Sequence, residues 1–203
     1  NKAILAAAIA ITNAISLLIQ AATDTQNEIV ANGKGSSTRA QFYKKHNKWT
    51  EGMISAAKSV AAATNILIKT ADGCLGQTNS HEELIVASNE VAASTVQLVA
   101  AARVKATSAS KTQDRLEEAS KTVSMACKAL VSQVQAMIAK SHAVENDVDF
   151  SKLSILDNRK AEMQQQAEIV KLENSLSAAR KRLGEIRKYS YQDDSDSEAD
   201  EDY

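Results

Sequence analysis

The sequence predicts an all-α fold, an antiparallel helical bundle of four long helices followed by a C-terminal coiled-coil helix. Three observations carry that expectation. The 203 residues contain no proline and only 3% aromatics, the composition of helical bundles and coiled coils. Apolar residues recur at steps of three and four through every long stretch. Glycines or Ser/Thr-x-x-Gln/Glu capping signals separate those stretches. A chain of this length buries one sizeable core plus an extension. The expected division is a bundle core over 1–146, a linker over 147–154, a dimerising helix over 155–191 and a disordered acidic tail over 192–203.

The first helix is expected from about Lys2 to Asn32. Ile4, Ile11, Ile15, Leu18 and Ala22 form its stripe, and Asn13, Ser16 and Gln20 lie largely off it. The uncharged run from Ala3 to Ala22 is long enough to cross a bilayer. Its polar residues and many alanines argue instead for a helix buried deep in a bundle, so no transmembrane segment is expected. Gly33 and Gly35 supply the positive φ of a helix C-cap.

A second helix starts at Thr38, with Gln41 three residues on, and carries the stripe Phe42, His46, Trp49, Met53, Ala56, Val60, Ala63 and Leu67. It stops at Gly73 and Gly76. A third starts at Ser80 with Glu83 and runs to about Ala106. A fourth starts near Ser110 with Gln113, and its stripe is Leu116, Ala119, Val123, Ala126, Leu130, Val134, Met137 and Val144. Short connections make such helices antiparallel neighbours.

The fifth helix differs. Ile169, Leu172, Leu176, Ala179, Leu183 and Ile186 form a narrow a/d seam of about three heptads, too short to stand alone. With Ile169 at position a, Glu173, Arg180 and Arg187 fall at e, and Glu168 and Arg182 at g. A parallel homodimer would oppose like charges. An antiparallel one sets Glu173 against Arg180 or Arg187 of the second chain. The expected state is therefore an antiparallel homodimer, and folding back as a fifth bundle member is the alternative.

The net charge of −1 hides an asymmetry. The stretch from Gln192 to Tyr203 holds 7 acids and no base; without it 24 basic residues face 18 acidic ones, a net +6. That suits an acidic partner surface. The charge is too scattered for nucleic acid, and no stacking aromatics accompany it.

Cys74 and Cys127 are far apart and fit no metal spacing, so both read as free thiols of a reducing compartment. With no secretory pattern, the expected location is the cytoplasm. His46, His81 and His142 fall on different helices, with no carboxylate or cysteine at ligand spacing. No phosphate-binding glycine motif is present. No enzyme, cofactor or metal is expected.

The third helix carries the sharpest signal. Its core side reads Leu84, Ile85, Val91, Leu98, Val99 and Ala102. Its opposite side reads Val86, Glu90, Ala93, Gln97, Ala100 and Val104, nearly uncharged where a surface helix carries charge. Either other helices wrap it or it docks on a partner. Arg103 and Lys105 flank Val104, and a small-apolar strip bordered by cations suits a flat partner surface. Lys44, Lys45 and Lys48, beside Trp49, add attraction to an acidic partner; Trp49 itself reads as core.

Several blocks carry a resemblance. Trp49-Thr50-Glu51-Gly52, Glu82 to Ser88, Leu98 to Ala101 with Arg103 to Ala106, and Leu172-Glu173 through Ala179-Arg180, Leu183 and Arg187 to Tyr191 resemble the I/LWEQ (THATCH) module. That is the C-terminal actin-binding unit of talins, huntingtin-interacting protein 1-related and fungal endocytic adaptors. Its named residues would fall on an Ile or Leu of the first helix, Trp49, Glu82 or Glu83, and Gln166. The stretch Gly33 to Tyr43 and the segment Asp149 to Ser154 look closest to the endocytic adaptors.

The resemblance implies a helical bundle that binds filamentous actin through the second and third helices, and a last helix whose dimerisation strengthens that binding. The family's Lys-Val-Lys motif falls on Arg103-Val104-Lys105, with the charge kept. The family bundle has five helices, the first inhibitory; four precede the coiled-coil helix here, so a further helix, and any membrane contact, is expected upstream of Asn1. The expected function is an actin tether for a membrane-trafficking or adhesion adaptor, at cortical or endocytic sites. The expected docking residues are Arg103, Val104, Lys105, Val86, Gln97, Ala100, Lys44, Lys45 and Lys48. Those expected to dimerise are Ile169, Leu172, Glu173, Leu176, Ala179, Arg180, Leu183, Ile186 and Arg187. The alternatives are a scaffold bundle for amphipathic peptide helices and an anionic-lipid module using Lys44, Lys45 and Lys48.

Overall fold

A computed structural model describes residues 2–76, 80–145 and 155–197. The expected linker over 147–154 and the side chain of Val144 lie outside what is described. Six helices are present among the described residues: α1 (Lys2–Gly33), α2 (Arg39–Lys45), α3 (Asn47–Leu75), α4 (His81–Arg103), α5 (Lys111–Glu145) and α6 (Ile155–Ser197). The chain divides into two units, residues 1–146 and 147–203.

Five helices were expected, and His46 accounts for the sixth. It leaves helical geometry at φ −120°, ψ 37°. Its N–H is shared between the carbonyls of Phe42 (3.0 Å) and Tyr43 (3.2 Å), which tightens the turn. The stripe survives the kink: Phe42, Trp49, Met53, Ala56, Val60, Ala63 and Leu67 are all buried.

Capping follows the sequence with one correction. Thr38 and Gln41 close a full capping box, and Ser80 Oγ accepts from the Glu83 N–H. At α5 the box is half formed. Ser110 Oγ accepts from the Gln113 N–H, but the Ser110 N–H is already taken by Thr107 O. The Gln113 amide turns away and donates to Glu117 at 3.1 Å. Gln113 Oε1 is left buried without a partner.

In the first unit, α1 packs along α5, α5 along α4, and α4 along α3. Short turns between successive helices make the neighbours antiparallel. Contacts across the bundle agree: Thr112, at the start of α5, donates to Glu28 near the end of α1 at 2.7 Å. Ile4, Ile11, Leu18, Leu67, Leu84, Leu98, Leu116 and Leu130 are the largest sealed side chains, each worth about 1.5–3 kcal/mol of burial. Buried hydroxyls are satisfied by the backbone, Thr25 by Ala21 O and Thr95 by Val91 O. Ser88 bridges α4 to Cys127 O of α5. Both cysteines are free and buried; burial pushes both thiols up, Glu83 and Glu82 adding to the shift at Cys74.

The α1–α3 edge of this ring is open. Leu5, Ile9 and Ile19 on α1 are about half exposed along it, as are Ile54 and Ile68 on α3. The expectation of a deeply buried first helix is thus corrected: its stripe is sealed, but its flank toward α3 is not. Voids of about 410 Å³ and 120 Å³ lie along this groove, beside Leu5, Ile9 and Ile68 at one end and Ile19, Met53 and Ile54 at the other. Two helices, Lys2–Gly33 and His81–Arg103, are long and apolar enough to cross a membrane. Here both supply the core.

The second unit is described by α6. The helix continues to Ser197, past the expected start of a disordered tail at Gln192. A segment without apolar residues forms no core, yet a helical backbone pairs its own N–H and C=O groups without one.

Candidate functional site

The outer row of α4 is not covered by the other helices of the first unit. Val86, Glu90, Ala93, Gln97, Ala100 and Val104 are all exposed, while Leu84, Val91, Leu98 and Ala102 are sealed. At 1.5 Å per residue the row spans about 27 Å. Alanines along it allow a partner's backbone to approach closely.

The row ends in a turn, not in helix. Arg103 is the last residue of α4, Val104 is its C-cap, and the N–H groups of Lys105 and Ala106 both bond to Ala102 O at 3.2 Å. Val104 is 74% exposed. Three helix ends converge on the turn. From α3, the Trp49 indole N–H donates to Ala101 O at 3.0 Å, satisfying one of the orphan carbonyls a helix C-terminus leaves.

From α5, Glu117 Oε1 accepts from Arg103 Nε at 3.0 Å and from a second guanidinium nitrogen. Hydrogen bonds from Gln113, then Arg103, hold the Glu117 carboxyl below the usual carboxylate range. The Arg103 side chain stays 66% exposed despite the pair, so the pair itself adds little stability.

At the α2–α3 kink, Lys105 Nζ lies 3.2 Å from His46 Nδ1. An ammonium only donates, so Nδ1 accepts and the ring proton belongs on Nε2. Partial burial, then Lys105, then Lys45 push the His46 pKa down. The Phe42 ring braces His46 at 4.6 Å and meets Trp49 edge-on at 6.1 Å.

The structure therefore gathers Arg103, Val104 and Lys105 with Lys45 around one corner of the bundle. Lys44 and Lys45 end α2, Lys48 opens α3, and all three are exposed. Val86 stands at the far end of the α4 row. The kink at His46 and the partners Glu117 and Gln113 were not visible in the sequence, because nothing local marks which residue of α5 faces the end of α4. A pocket of about 200 Å³ beside the turn is lined by Glu28, Asn32, Phe42, His46, Lys105 and Thr107. Among the described residues no group of three or more His, Cys, Asp and Glu is placed to hold a metal.

On α6, Ile169, Leu172, Leu176, Leu183 and Ile186 are 46–66% exposed, and Glu173, Ala179, Arg180 and Arg187 are exposed too. Lys171 pairs with Glu168 at 3.6 Å along the same helix.

Comparison with known proteins adds the lineage. Residues 43–192 match the model of the I/LWEQ domain. The chain is 59% identical over 191 residues to Endocytosis protein end4 of Schizosaccharomyces pombe, covering 94% of this chain and 17% of that protein. It is 39% identical over 193 residues to Huntingtin-interacting protein 1 of Homo sapiens (95% and 18%), and 36% over 195 residues to Talin-B of Dictyostelium discoideum (95% and 7%). The chain thus spans less than a fifth of the length of these relatives. Matched from Tyr43 to Gln192, and similar over nearly its whole length to an endocytosis protein, to Huntingtin-interacting protein 1 and to a talin, the chain belongs to the I/LWEQ domain family.

Proposed function

We propose that this chain is a filamentous-actin docking module of an endocytic adaptor, and that it tethers that adaptor to cortical actin. The observation that carries the reading is the exposed α4 row ending in Val104 between two cations. An apolar knob flanked by Arg103 and Lys105, with Lys45 nearby, suits an acidic surface with a shallow apolar depression. Lys44 and Lys48 extend the positive field and raise the encounter rate at low salt.

Dimerisation belongs to the same proposal. The exposed α6 seam pairs with a second copy, antiparallel, so that Glu173 meets Arg180 or Arg187. Two linked bundles then gain apparent affinity through effective concentration, without a new contact.

The test is cosedimentation with actin filaments. The wild type pellets; Arg103→Glu, Val104→Asp and Lys105→Glu together abolish pelleting while helicity stays normal. Unchanged pelleting of that variant contradicts the reading.

The α1–α3 groove favours a second reading, a scaffold whose apolar groove receives an amphipathic helix. Fluorescence anisotropy with labelled amphipathic peptides distinguishes the two. Peptide binding that Ile9→Asp and Ile68→Asp remove, without filament pelleting, selects the scaffold.

A further inference from the structure

The Arg103–Val104–Lys105 turn is built from one helix end but held by three others. A helix C-terminus leaves its last carbonyls unpaired and frays. Here Ala101 O receives the Trp49 indole N–H at 3.0 Å, and Ala102 O receives the N–H groups of Lys105 and Ala106. The two long cationic side chains flanking Val104 would each sample many rotamers in free solution, at an entropic cost to any complex that orders them. They are instead tied in different directions: Arg103 to Glu117 of α5, itself steadied by Gln113, and Lys105 to His46 at the α2–α3 kink. Val104 is left standing between them. Three of the chain's few aromatic groups, Phe42, His46 and Trp49, pack against one another behind this corner, tilted and edge-on.

We propose that Trp49, His46 and Glu117 are positioning residues that hold this turn in its docking conformation, so that the partner meets a preformed knob. The proposal rests on the actin-docking reading for its partner, but the holding of the turn can be measured without any partner. Glu117 acts through the direction of its hydrogen bonds to Arg103, not through its charge, which opposes an acidic partner.

The experiment pairs amide hydrogen exchange with filament cosedimentation, on the whole chain. In Trp49→Phe, the amides of Lys105 and Ala106 exchange about tenfold faster, the scale of one lost hydrogen bond, while those of Val91 and Leu98 do not change. Filament affinity falls by a similar factor. Glu117→Ala weakens binding several-fold, whereas Glu117→Gln, which keeps an oxygen to accept from Arg103, retains it. Lys105 and Ala106 exchange rates equal to wild type in both Trp49→Phe and Glu117→Ala overturn the positioning role, whatever happens with actin. Stronger binding by both Glu117 variants also overturns it, since that means the carboxylate masks Arg103. His46→Ala likewise speeds exchange at Lys105 and Ala106 and weakens filament binding, and wild-type exchange in it removes His46 from the set. A wild type that fails to pellet overturns the docking reading and leaves the exchange data to decide whether the three residues hold the turn.

Discussion

The bundle and α6 use the same side chains at the same spacing to opposite ends. In the bundle, Leu67, Leu84, Leu116 and Leu130 are completely sealed. On α6, Leu172, Leu176 and Leu183 remain 46–58% exposed. The difference lies in the width of the stripe. Wide apolar faces joined by short turns find their neighbours within the chain. A narrow seam of three heptads needs a helix of matching charge pattern, which a second copy can supply.

Substitutions can break or sharpen that contrast. The largest effect on stability falls in the bundle: Leu84→Ala or Leu116→Ala costs about 2–5 kcal/mol, read as a lower urea midpoint. Trp49, the single tryptophan, reports the transition by fluorescence. Leu176→Asp with Leu183→Asp leaves that midpoint in place but converts a dimer to a monomer by light scattering, and weakens filament binding. A wild type already monomeric at micromolar concentration contradicts the dimer.

Smaller effects follow at the bundle's corners. Gly35 sits at φ +56°, where an L side chain costs about 1–2 kcal/mol, so Gly35→Ala lowers the midpoint modestly. Least of all, Glu28 is held below its ordinary pKa by hydrogen bonds from Thr112 and then Ser110. A depressed folded-state pKa means stability that is complete above the unfolded value of 4.5 and lost as pH falls through the folded one. Glu28→Gln is therefore less stable than wild type near pH 7, and the two converge below pH 4.5 in urea titrations.

Most of the fold was legible because helical periodicity and capping residues are local. The stripes from Phe42 to Leu67 and from Leu116 to Val134 face the core as their spacing requires, with His46, Ala119 and Ala126 only partly buried. The kink at His46 was hidden, since no proline or glycine marks it. The half-formed cap at Ser110 was hidden too, because a distant carboxylate, Glu117, competes for Gln113. At the proposed docking corner the sequence pointed to Arg103, Val104 and Lys105 but named no partners for the two cations. Their partners Glu117 and His46 lie 14 and 59 residues away, and only the assembled bundle brings them there. For the α4 row, composition alone leaned slightly toward burial, and the assembled bundle leaves the row exposed.

The most direct test of the docking account compares two exposed apolar positions of the bundle. Val104 is 74% exposed at the turn, and Met125 is 60% exposed on α5 away from it. Neither Val104→Asp nor Met125→Asp should alter the urea midpoint beyond about 0.5 kcal/mol, the usual range for surface changes. In cosedimentation with actin filaments, the account predicts that Met125→Asp pellets like wild type and Val104→Asp stays in the supernatant. Equal pelleting of the two variants would contradict it.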